Sequence, residues 1–204
     1  AVVVCTQGLL PAGNSRYSTV YAIFGTGDVL VTHSLIPEGR LPEIPRIGMQ
    51  TEIPGEFVTT TWYGRGPHEN YWDRKTSARV GVYSMPTVEL AHPYCRPQET
   101  GNRCDVRWVA FTGPDGAGIL AAGMPTIEFS AWPCAMDDLE SARHVHEVPR
   151  RGWFTVNLDY RQMGVGGDNS WGAKTHPEYV LYPMPYTYSF RIRPYVPIMG
   201  DPST

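Results

Sequence analysis

Lysine is nearly absent from this sequence: Lys75 and Lys174 are the only two, and every other basic residue is arginine. Charge of either sign is sparse, at 18% of 204 residues, against roughly 25% in an average soluble domain. The 17 basic and 20 acidic residues leave a formal net charge of -3, too little positive field to hold nucleic acid phosphates. No nucleic acid partner is expected. Long apolar runs are missing too. Nothing approaches the roughly 18 residues of a membrane-spanning helix, so no membrane partner is expected either. Cysteine is limited to Cys5, Cys95, Cys104 and Cys134, scattered and without a CxxC pair. That spacing argues against a disulfide scaffold and against zinc, and buried free thiols are the preferred reading. Cys95 and Cys104 flank PQETGNR, which leaves a pairing across a hairpin open. The opening AVVVCTQGLLPAG has neither an initiator methionine nor a basic leader region, and reads as a piece cut from a longer chain.

What is abundant points to β-structure. Gly (21), Pro (19) and a 12% aromatic content suit a turn-rich chain with amphipathic strands. In YTYSFRIR, Tyr186, Tyr188, Phe190 and Ile192 alternate with Thr187, Ser189, Arg191 and Arg193, giving period two with one wet face. WFTVNLDY does the same, with Phe154, Val156, Leu158 and Tyr160 on one side. STVYAIF, GDVLVTHSLI, EFVTTTWY and CDVRWVAF are also strand-like, separated by turn formers such as GTGD, TGPDGAG and GVGGDNS. Together they predict one all-β domain over residues 1–204, a large antiparallel sandwich. The single helical candidate is DDLESARH, with Asp137 or Asp138 as its cap. The proline-rich IPEGRLPEIPRIG is too rich in Leu and Ile for a linker and reads as an ordered connection between two sheets.

Three segments carry possible chemistry. QMGVGGDNSWGAKTHPEY, residues 162–179, is dense in glycine, but it leads from strand to strand and lacks the helix N-terminus a phosphate cradle needs. Its Trp171 beside Asp168, Asn169 and Ser170 offers a stacking face with hydrogen-bonding neighbours, the chemistry of a sugar site. The equal alternative is a tryptophan packed beneath its own loop. In TWYGRGPHENYWDRKTSARVGVY, Glu69 and Asp73 lie among Arg65, Arg74 and four aromatic rings. An arginine–carboxylate network closing a turn is favoured over a catalytic acid pair, because each acid has an arginine near it to keep it ionised. His144 and His146 stand two apart, as strand-borne metal ligands do, but no third ligand at matching spacing is evident, and they are read as surface or structural. No Gly-x-Ser-x-Gly elbow is present.

WYGRGPHENYWDR, PYCRPQETGNRCDVRW, PTIEFSAWPCAMDDLESARH, NLDYRQMGVGGDNSWGAKTHPEY and YSFRIRPY, taken in order, resemble the C-terminal domain of large bacterial β-galactosidases, the small chain of glycoside hydrolase family 2. The likeness covers at least residues 40–195. It implies a galactose mutarotase-like antiparallel β-supersandwich. It further implies that the catalytic acid/base and nucleophile, two carboxylates about 5–5.5 Å apart in a retaining mechanism, lie on a separate (β/α)8 barrel, so that this chain has no catalytic residues. Its contribution would be the tryptophan of the family's Gly-Gly-Asp-Asp-Ser-Trp loop, stacked on a β-galactoside sugar. Here that loop ends in Trp171, with Asn169 in place of the commoner Asp. The implied partners are the sugar and the other domains of the same polypeptide, the barrel above all, in an enzyme expected to be a homo-oligomer. No cofactor or metal is expected in this domain; divalent or sodium ions of the full enzyme would be bound elsewhere. Two alternatives remain open: an aldose 1-epimerase-like enzyme, with an acid from His92, His144 or His176 and a base from Glu89, Glu147 or Glu178, and an independent carbohydrate-binding module. Fold alone licenses neither.

Overall fold

The computed structural model describes residues 1–169 and 171–200. Among them run ten strands: β1 (Val2–Leu10), β2 (Ser15–Ile23), β3 (Val29–Ile36), β4 (Arg46–Pro54), β5 (Thr59–Gly66), β6 (Arg79–Pro86), β7 (Arg103–Thr112), β8 (Gly118–Trp132), β9 (Trp153–Gln162) and β10 (Tyr186–Tyr195). One helix, α1 (Met136–Ser141), interrupts them. All pairings are antiparallel, in the order β1-β2-β3-β10-β8-β7-β5-β6, with β4 and β9 branching from β8. The all-β architecture follows the periodicity of the sequence.

β8 makes the branch. Its first half pairs with β10 through Gly118–Met124, and its last five residues, Glu128–Trp132, pair with β9. Pro125 falls at the changeover, where a residue without an N–H costs no ladder bond. Opposite, the register of β7 shifts between Arg103 and Trp108, with Asp105 at φ 54°. That left-handed residue marks a bulge, and short polar side chains tolerate it best. IPEGRLPEIPRIG carries the chain from β3 on the main path to β4 on the branch.

The core is built from the alternating apolar faces. Trp62 of β5 is buried against Phe129 of β8, with Val106, Val109, Phe111, Val156 and Phe190 around it. Its indole N–H donates to the Arg65 carbonyl at 2.9 Å, so the polar end is satisfied. Truncating such a side chain to Ala costs about 3–5 kcal/mol.

Three expectations are corrected here. The second face of β9 is not wet: Thr155, Asn157 and Asp159 are all buried. Asn157 donates to Ser130 Oγ and accepts from Gln50, both at 2.9 Å, and the segment around Asn70 and Asn102 covers the neighbouring Glu128. A buried polar face is permitted when its groups bond to one another. The N-cap is Ala135, two residues before the first of the expected acidic caps; Asp137 and Asp138 sit in the first turn, and Asp138 Oδ2 accepts from the Ala135 N–H at 2.8 Å. Of the four free thiols, Cys104 and Cys134 are buried as read, but Cys5 and Cys95 are exposed.

Candidate functional site

The glycine-dense segment leaves the end of β9 and returns to β10 along one end of the sandwich. Its root is fixed by backbone: Met163 N–H donates to the Pro45 carbonyl at 3.0 Å and Gly164 N–H to the Tyr179 carbonyl at 2.8 Å. Beneath it lie Leu35, Ile47 and Leu181, with Trp72 edge-on to Tyr179 and the Arg161 guanidinium 4.3 Å above the Trp72 ring. Asp73 reaches in from a distant part of the sequence. Its Oδ2 accepts from the Gly166 N–H at 2.8 Å, and its carboxyl carbon would stand 2.7 Å from any Cβ at position 164. Glycine is required there for close approach. Backbone freedom is not the reason: the left-handed residue of the loop is Gly172, at φ 106°, after the tryptophan.

At the tip, Trp171 is 92% exposed. Asn169 Oδ1 accepts from the Trp171 N–H at 2.8 Å, an Asx turn that sets the backbone beneath the indole. Asp168 Oδ1 lies 2.8 Å from His176 Nε2, and that hydrogen bond, with the charge of Asp168 and then Glu178, holds the His176 pKa above its ordinary value. Lys174 pairs with Glu43 at 3.2 Å on the same flank. Ser170, the fourth residue read as a sugar neighbour, lies outside the described residues. Along the base of the loop is an open cavity of about 500 Å³ bordered by Glu43, Met163, Gly166, Lys174, Thr175 and Tyr182. The arrangement presents one large apolar ring, flanked by a histidine–carboxylate pair, on a loop tied down at its base.

The other acidic clusters are structural. Glu69 accepts from Arg74 at 2.7 Å, from the Gly101 N–H at 2.8 Å and from the Tyr94 hydroxyl; these bonds outweigh its partial burial and hold its pKa down. Arg65 pairs with Asp105, not with Glu69 or Asp73. Asp73 therefore departs from the expected arginine network and serves the glycine loop, a link across 93 positions that no local spacing could announce. Of the histidines named for an epimerase, His92 packs against Tyr94, and His144 and His176 lie in separate exposed clusters. No helix is long and apolar enough to cross a membrane among the described residues.

An antiparallel sandwich carrying a tethered, tryptophan-tipped loop matches the sequence family described as beta galactosidase small chain over residues 1–192. The chain belongs to that family. It is 46% identical over 194 residues to a beta-galactosidase of Priestia megaterium, covering 95% of this chain but 19% of that protein. A beta-galactosidase of Vibrio cholerae is 36% identical over 173 residues, 85% of this chain and 16% of that protein. A third, from Lactobacillus delbrueckii subsp. bulgaricus, is 35% identical over 182 residues, 89% of this chain and 18% of that protein. The chain thus spans less than a fifth of these relatives. Among solved structures, a putative aldose 1-epimerase of Escherichia coli K12 aligns over 95% of this chain and 65% of its own, with a TM-score of 0.48 and 12% identity.

Proposed function

We propose that this chain is the non-catalytic C-terminal domain of a β-galactosidase, and that it completes the substrate pocket of the catalytic barrel with Trp171. The observation that carries the reading is the exposure of that indole on a loop anchored at its root. A stacking residue must show a free ring face and still be held in place. The C–H face of a galactoside sugar would lie on the ring, with hydroxyls turned to Asp168 and Asn169. The hydrolytic carboxylates and the metal ions of the full enzyme, itself a homo-oligomer, belong, on this reading, to other domains.

The testing experiment is disaccharide kinetics of Trp171→Ala in the full-length polypeptide. Loss of stacking removes binding shared by ground and transition states, so KM rises more than kcat falls. Stacking of about 0.5–1.5 kcal/mol corresponds to roughly 2- to 10-fold. Unchanged kinetics would refute the assignment. The 204-residue chain alone is expected to release no chromophore from a chromogenic galactoside.

A further inference from the structure

The short turn His144-Val145-His146-Glu147 gathers two imidazoles and a carboxylate on the surface between α1 and β9. The two rings stack at 5.5 Å with planes 16° apart, and Glu147 Oε1 lies 3.1 Å from His144 Nδ1. A ligand atom from each of the three lies within 4.8 Å of the other two. The sequence spacing showed the histidine pair but not the third donor. The chain delivers it by folding Val145–Glu147 into a 3-10 turn, which brings Glu147 back beside His144.

We propose that His144, His146 and Glu147 form a binding site for a divalent first-row transition metal, zinc in the first instance. Two imidazoles with one carboxylate are the donor set such ions favour, whereas magnesium and calcium prefer oxygen alone. Tetrahedral zinc, with ligands about 2.0–2.2 Å away, needs donors about 3.4 Å apart. Exposed side chains reach that from the observed spacing by small rotations. The carboxylate is already held: Glu147 Oε2 accepts from the Arg143 N–H at 2.7 Å, which leaves Oε1 to turn from the imidazole to the ion. The backbone of the turn is tied in as well, Val145 N–H donating to the Cys95 carbonyl at 3.3 Å. Water would fill the remaining position, since all three residues are exposed. The site departs from the expectation that this domain holds no metal, and it lies apart from the Trp171 loop, so it stands or falls independently of the proposed sugar role.

The test is calorimetric titration of the chelator-treated full chain with zinc chloride, in a Cys5→Ser/Cys95→Ser background that removes the exposed thiols. One saturable equivalent is expected, weakened at least about tenfold by His146→Ala, since even indirect partners of metal ligands cost that much. In parallel NMR spectra, zinc should shift the ring signals of His144 and His146 and leave those of His33 and His92 in place. Absence of saturable binding would overturn the site. So would equal binding by the folded His144→Ala/His146→Ala variant.

Discussion

Trp171 and Asp73 divide one task between them. The indole is almost wholly in solvent, so it contributes little to folding: Trp171→Ala should leave the unfolding free energy within about 0.5 kcal/mol of the parent, measured by denaturant titration. Asp73 touches the loop only at its root, where it receives the Gly166 amide. Removing it should loosen the tip without touching the sugar. Asp73→Ala in the full-length polypeptide is therefore expected to raise KM for a disaccharide by no more than Trp171→Ala does. The double variant should add little to the single tryptophan change, because both act through one contact. Additive effects in that cycle would show that Asp73 works elsewhere. Asn169 fits the same division: its side-chain oxygen shapes the turn under Trp171, a role an aspartate at that position fills equally well.

At the scale of elements, β8 and β9 hold two acids side by side out of water. Glu128 and Asp159 are register partners, both buried. Arg46 Nε approaches Asp159 Oδ2 at 3.2 Å without hydrogen-bond alignment. Desolvation prevails over that attraction and pushes Asp159 from 3.8 up to about 8, with the Glu128 carboxyl raised by the same cause. Between these values the folded chain keeps a proton that the unfolded chain has lost. The contribution of this pair to stability therefore falls as pH rises from about 4 to about 8 and levels off above, with a limiting slope of about 1.4 kcal/mol per pH unit for one such group. Asp159→Asn should flatten that fall, which urea unfolding at about pH 5 and about pH 8 would reveal; parallel curves for variant and parent would contradict it. The alternation in WFTVNLDY made β9 and its core face legible, because period two is a local property. It could not show that Asn157 and Asp159 are buried as well, since the residues that meet them, Gln50 and Ser130 at Asn157 and Arg46 at Asp159, come from elsewhere in the chain. The Trp171 loop was legible for a related reason: its glycines and its aromatic tip are contiguous. Its anchor Asp73 and the third donor Glu147 were not, because each depends on a turn or a long-range contact that residue spacing alone does not encode.

At the scale of the molecule, exposed apolar side chains run along one edge of the sheet as well as around the glycine loop. β1 is an edge strand paired on one side with β2, and Val2, Val3, Val4, Leu9 and Leu10 are all exposed. Successive residues of a strand point to opposite faces, so β1 is apolar and uncovered on both. Val20, Ile23 and Ile36 of β2 and β3 extend the patch. An edge of this length and character is a template for unwanted pairing unless something covers it. On the functional reading above, the cover is the remainder of the polypeptide, which in the relatives is more than four-fifths of the length. Placing charge on each face of the edge tests this. Val4→Lys/Leu9→Lys should leave the stability of the isolated chain within about 0.5 kcal/mol, since neither side chain is buried in it. The same change should lessen self-association of that chain in sedimentation velocity, by adding like charges to the edge. In the full-length polypeptide it should lower the thermal midpoint, because two charges would be forced into an apolar contact. A full-length midpoint that does not move would mean that β1 faces solvent there too, and that the domain meets its neighbours through another face.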